Sequence, residues 1–232
     1  MRLFLAILFL VISHNVISQR GVSTVDDYEY NMYRVSSADT ITVKHTGYVS
    51  TFSVSKRYPV IVKWLDTKAR LSCVNKTKRR NNFKKDPTLP EYTDLSKSYT
   101  HSGLSRGHNC PADDNSCDSV MQVECFYYSN MCPQYQEFNA GIWLRLEDYT
   151  RRITMIYDSV YVWCGSVGEA KRIGSVSVPE FCWKVLYIKA TKCYMCYIFK
   201  NTEESQYWDP KNTVPISKVE ELTGFKFNIN SK

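Results

Sequence analysis

His108 closes the run Ser105-Arg106-Gly107-His108, in which a glycine permits close backbone approach and an arginine can fork onto a phosphate. An unperturbed imidazole titrates near about 6.5, a value suited to taking a proton from water. Downstream, Asn139, Trp143, Glu147 and Arg151 stand four residues apart, and on a helix that spacing makes one stripe. Hydrolysis of a phosphodiester needs a base for the attacking water, positive charge for the phosphoryl oxygens and help for the leaving oxygen. A histidine meets the first need, and a divalent cation with arginines meets the others. By itself the tetrapeptide is a weak signal, since a lone histidine is usually a satisfied surface or core residue. Glu147 and Arg151 read equally well as a plain i,i+4 ion pair.

Such residues need elements to hold them. Residues 47–54 and 58–65 are rich in β-formers (Tyr48, Val49, Phe52; Val60, Ile61, Val62, Trp64) across the turn Ser55–Pro59, which predicts an antiparallel pair. Residues 120–129 have strand composition. Over 134–152 the period changes, with Phe138, Ile142, Leu146 and Tyr149 marking an amphipathic helix. Strands are predicted at 153–163, 181–190 and 193–199. A short helix is predicted at 216–223, with Ser217 as N-cap and Gly224 after its end. Residues 75–90 open as a basic loop that reads equally as a solvated loop or a phosphate grip. Hairpins with inserted helices predict an α+β fold around a central antiparallel β-sheet flanked by helices.

The chain has 232 residues, 44% of them apolar, which suits one globular domain or at most two small ones. Met1-Arg2, then the apolar run Leu3–Ile12, then Val16-Ile17-Ser18 has the layout of a secretory signal peptide over residues 1–18; His14 falls within it. The run is too short for a membrane span, which takes roughly 20 apolar residues. The expectation is a secreted or periplasmic protein with no stable membrane association, a loose N-terminal arm over 19–46 and a domain over 47–229. A formal net charge of +7 favours polyanionic partners. Nine cysteines in an exported chain make disulfides plausible and leave at least one thiol unpaired within the chain. Cys193-x-x-Cys196 lies in an apolar run and reads as structural, without a second such pair to complete a zinc site.

Tyr99–Ala112, containing Ser105-Arg106-Gly107-His108 and then Pro111, resembles the signature of the DNA/RNA non-specific endonuclease family, one of the ββα-metal nucleases. Ser129-Asn130, Pro133-Gln134, Asn139, Gly141, Trp143, Leu146-Glu147 and Arg151 are similar to that family's second signature, at the right distance. Arg79-Arg80 with Phe83 and Asp86-Pro87, the strands around Val160–Val162 and Phe181–Val185, and the stretch Val219–Phe225 extend the resemblance to roughly residues 47–227.

The resemblance implies a ββα-metal element and a metal-dependent endonuclease acting on DNA and RNA. His108 would be the general base, and Asn139 the one direct protein ligand to Mg²⁺, or Mn²⁺, whose remaining positions are mostly water. Glu147 would hold metal-bound waters. Arg106 and Arg151 would meet phosphate or the transition state, and Asn130 would orient His108 or its loop. Arg79 or Arg80 would take the phosphate-binding position; the sequence does not choose between them. Ser105 departs from the family's usual aspartate. Cys110 and Cys132 are also unusual, and their pairing with each other, Cys117 or Cys125 would pin the histidine loop to the helix. Two rival readings are a catalytically impaired, disulfide-bonded nucleic-acid-binding protein and a structural zinc protein. Asn75-Lys76-Thr77 is an N-glycosylation sequon.

Overall fold

The computed structural model describes residues 32–34 and 39–227. Its strands are β1 (Met32–Arg34), β2 (Thr40–Lys44), β3 (Val49–Ser53), β4 (Pro59–Thr67), β5 (Ser105–His108), β6 (Met131–Gln134), β7 (Ser159–Val167), β8 (Lys171–Ile173), β9 (Val176–Val178), β10 (Phe181–Ile188), β11 (Cys193–Lys200) and β12 (Phe225–Phe227). The helices are α1 (Lys68–Leu71), α2 (Pro90–Thr93), α3 (Ser96–Tyr99), α4 (Ser119–Glu124), α5 (Gln136–Phe138), α6 (Leu144–Tyr157) and α7 (Ile216–Thr223). Six strands form the central sheet in the order β11-β10-β7-β4-β3-β2, antiparallel at every step. The expected α+β class and antiparallel sheet are therefore present.

Side chains alternate across a strand, so this sheet has two distinct apolar faces. On one, Lys184 of β10 lies against Trp64 of β4 and against Trp143, just before α6. On the other, Trp163 and Trp183 pack on Phe225 and Phe227 of β12. Trp143 and Trp183 are wholly buried; burying a large apolar side chain contributes about 1.5–3 kcal/mol. Gly165 of β7 passes so close to β4 that a Cβ there would overlap the Val60 carbonyl.

Several expectations are corrected. Residues 120–129 hold α4 and a 3₁₀ turn instead of a strand. Asp118 accepts hydrogen bonds from the Val120 and Met121 amides, and this cap outweighs the β-propensity of Val120 and Val123, which sit exposed. The helix expected over 134–152 ends at Tyr157 because Ile153 and Thr154 remain buried against the core. The strand expected at 153 consequently begins at Ser159. Pro215, not Ser217, precedes α7, while Gly224 ends it in the left-handed region as predicted. The arm expected over 19–46 contains β1 and β2, and β2 is an edge strand of the main sheet. The signal peptide expected over 1–18 lies outside the described residues. Among those described, no helix is long and apolar enough to cross a membrane.

The pairings considered for Cys110 and Cys132 do not form. Cys117 bonds to Cys73, and Cys110, Cys125 and Cys132 are buried free thiols. Cys193 is exposed and Cys196 buried, as three residues of strand dictate, so they form no redox or metal pair. The Cys73–Cys117 bridge spans a sequence separation of 44, a loop whose closure stabilises by about 4 kcal/mol on a chain-entropy basis. Selective reduction should lower the urea midpoint by the corresponding amount; an unchanged midpoint would contradict this contribution.

Candidate active site

β5 and β6 form a hairpin in which His108 faces Met131 and Gly107 faces Cys132. A Cβ on Gly107 would overlap the Gln134 side chain, so this crossing requires glycine. Alternation puts Arg106 and His108 on one face of β5. Ser105 falls on the other, where its hydroxyl bonds Gln136 at the start of α5.

From α5 the chain continues through a π-helical turn, Asn139–Trp143, into α6; Gly141 there leaves helical geometry (φ −98°, ψ −105°). The widened turn carries Asn139 at its start and Trp143 at its end. Trp143 Nε1 donates to the His108 carbonyl at 3.1 Å. The strand bearing the histidine is thereby bolted to the helix bearing the asparagine.

Arg79, Arg106, His108, Asn139 and Glu147 converge on one cleft of about 220 Å³. The His108 ring is 5.6 Å from that of Phe83 and 5.0 Å, edge-on, from that of Phe126. Its Nε2 is buried without a hydrogen-bond partner. Burial, and next the Arg79 charge, hold its pKa down at about 3. Arg106 donates from Nε to the Tyr128 hydroxyl at 3.0 Å, with the Phe83 and Tyr99 rings 5.4 and 5.5 Å from its guanidinium. Burial pushes the Glu147 carboxyl up to about 7, against the opposing pull of Lys184 and Arg151. Lys184 is itself fully buried, its Nζ unpartnered by any hydrogen bond and 4.5 Å from the Trp143 ring centre.

Five of the eight residues singled out in the sequence thus share the cleft, and three do not. Arg80 turns into a neighbouring cleft, which separates it from Arg79. Asn130 is wholly buried: its Oδ1 accepts from the Cys110 amide (2.9 Å), and its Nδ2 donates to the Cys110 (2.9 Å) and Cys125 (2.8 Å) carbonyls. It fixes the loop leaving His108. Arg151 is occupied by Asp114 at 2.9 Å and Asp148 at 2.6 Å, pinning the turn after the histidine loop to α6.

Other residues matter here that sequence reasoning passed over. Asp86 is wholly buried and takes hydrogen bonds from His45, Ser129 and Thr88. Burial would raise its pKa, but those bonds win and hold it at about 2. Ser129 thus anchors the basic segment to the turn before β6, while Asn130 beside it anchors the histidine loop. Tyr128 seats Arg106. Asp86 and Ser129 stand in the stretches that carry the resemblance but were given no role there, and only the adjacency of Tyr128 to the second signature could have flagged it.

The cleft's candidate cation donors, Asn139 and Glu147, with Asp113 also in its lining, are hard oxygen donors, the chemistry that Mg²⁺ and Mn²⁺ prefer. Among the described residues no three His, Cys, Asp or Glu side chains gather into a metal cluster. That donor set fits a hydrated divalent ion held by few protein atoms and offers no cysteine cage for zinc.

The family model described as DNA/RNA non-specific endonuclease matches residues 25–232. The chain is 29% identical over 207 residues to human mitochondrial nuclease EXOG, covering 79% of this chain and 55% of that protein. It is 29% identical over 208 residues to mitochondrial nuclease 1 of Schizosaccharomyces pombe, covering 79% and 65%. A Nostoc nuclease is 28% identical over 184 residues, covering 72% and 66%. The matched segment spans about half of the human EXOG protein and 45% of its Xenopus laevis counterpart. The solved EndoG/EndoGI complex contains a chain with a TM-score of 0.73 and 27% identity, covering 80% of this chain and 84% of that one.

A histidine with a pKa near 3 stays neutral in the folded chain at pH values well above 3. Above about pH 6.5 the unfolded imidazole is also neutral, so the penalty for keeping His108 uncharged appears only as pH falls from there towards 3. In the metal-free protein, ¹⁵N shifts of His108 should remain those of a neutral ring at pH 5; a titration midpoint between 6 and 7 would contradict the burial described above.

Proposed function

The chain belongs to the DNA/RNA non-specific endonuclease family, and on that premise we propose that it is a divalent-metal-dependent endonuclease hydrolysing phosphodiester bonds of DNA and RNA. The observation carrying the proposal is the convergence of His108, its Nε2 without a hydrogen-bond partner, with Asn139, Glu147, Arg79 and Arg106 on one cleft. His108 takes a proton from the attacking water at that nitrogen. Burial between Phe83 and Phe126, and next the Arg79 charge, keep it from being protonated beforehand and also leave it a weaker base than a free imidazole. Arg79 and Arg106 seat the phosphate by charge and by forked hydrogen bonds. Asn139 would hold the cation, with the Glu147 carboxyl beside it in the same cleft. A bound Mg²⁺ or Mn²⁺ supplies positive charge for the phosphoryl and leaving oxygens. Asn130, Arg151 and Trp143 are positioning residues.

Grip on phosphate carries no sequence information, which supports weak sequence preference. Ser105 faces away from the cleft, so its replacement of the family's aspartate favours an active enzyme over an impaired binding protein.

For the compartment we propose export. The unbroken apolar run Leu3–Ile12 differs from the Arg- and Ser-rich amphipathic leaders of mitochondrial import, and the Cys73–Cys117 bridge suits an oxidising compartment. The mitochondrial names of the human and yeast relatives make the organelle the alternative.

Plasmid and RNA digestion by the purified chain, with Mg²⁺ or with EDTA, should show cleavage that requires metal and falls at least about a hundredfold in His108→Ala. Full cleavage by a folded His108→Ala variant would overturn the base assignment. DNA retention without any cleavage would favour the binding-protein reading.

A further inference from the structure

Beside the His108 cleft lies a second one, of about 330 Å³, between the basic segment and α4. Its cationic wall is Lys78, Arg80 and Lys84, and its other wall includes Ser119, Gln122 and Val123 of α4. No carboxylate lines it; the nearby Asp118 is turned to the amides it caps. The basic segment deals its side chains out alternately. Residues 78, 80, 82 and 84 line this second cleft, whereas Arg79 lines the first and Phe83 touches the His108 ring. Phe126 separates the two, with His108 at its edge and the Arg79 guanidinium 5.5 Å over its ring.

The two walls of the second cleft are also tied together at one end. Cys73, just before the basic segment, is bonded to Cys117, just before α4, and the Thr77 amide donates to the Ser116 carbonyl at 2.7 Å. A merely solvated basic loop needs no such closure against a helix.

We infer that this second cleft is a polyanion subsite which takes the phosphates of the nucleic-acid strand flanking the one gripped at His108. It rests on the nucleic-acid reading above and adds a division of labour. Arg79 and Arg106 act at the scissile phosphate, while Lys78, Arg80 and Lys84 hold the strand beyond it. Short substrates that fill only the first cleft then gain nothing from the second.

The test compares a strand of about three nucleotides with one of about twelve, using the double variant Lys78→Ala/Lys84→Ala, whose positions are exposed. The double variant should raise the KM of the longer strand about tenfold at unchanged kcat and leave the short strand's kinetics alone. The slope of log affinity against log salt for the longer strand, measured by anisotropy in EDTA, should fall by about 1.4, that is about 0.7 per lost phosphate contact on a single strand. An unchanged slope, or equal weakening of short and long strands, would overturn the subsite. A wild-type chain that cuts neither strand yet shows the slope difference would sink the nuclease reading and retain the subsite.

Discussion

The hydrogen bond from Trp143 to the His108 carbonyl joins two pieces of chain that sequence keeps 35 residues apart. One is the β5–β6 hairpin, whose tight crossing depends on Gly107. The other is the helix that starts at α5 and runs through the π turn into α6. Each piece carries part of the cleft lining, and neither alone fixes the spacing of His108 and Asn139. Because the bond is buried, losing it would leave a carbonyl unsatisfied in the core, at a cost of about 1–3 kcal/mol. The same indole ring lies over the Lys184 ammonium, so the central sheet, the helix and the histidine strand meet at one side chain.

Around that clasp, buried polar groups hold the loops that cannot be held by apolar packing. Asn130 satisfies three backbone groups of the histidine loop and its neighbour. Asp86 gathers His45, Ser129 and Thr88 beneath the basic segment. Arg151 ties Asp114 to α6. With these loops fixed, the cleft can place a neutral imidazole, two guanidiniums and two oxygen donors together without their collapsing onto one another. The perturbed groups, His108 held low and Glu147 pushed high, are those whose solvation the cleft walls remove.

Much of this was legible in the sequence because it rests on pattern. β-forming composition marked β3, β4, β10 and β11, and the three-to-four period of Phe138, Ile142 and Leu146 marked the helix. The two signatures placed His108 and Asn139 on elements that do meet. What stayed hidden depends on contacts between distant residues. The Asp118 cap turned a β-branched stretch into α4. The parity of the basic segment sent Arg79 and Arg80 into different clefts. Three nearby aspartates claimed Arg151. Cys117 found Cys73, far upstream, in preference to the cysteines beside the site. Trp143 was legible as core, but its second role depends on where one indole nitrogen points.

At the centre stands the proposal that the cleft shared by His108 and Asn139 binds the metal. Paramagnetic broadening of the His108 ring resonances by Mn²⁺ reads that claim without any cleavage. Broadening at sub-stoichiometric Mn²⁺ that disappears in Asn139→Ala is the result predicted. Broadening that persists in the variant, or none in the parent chain, would contradict it.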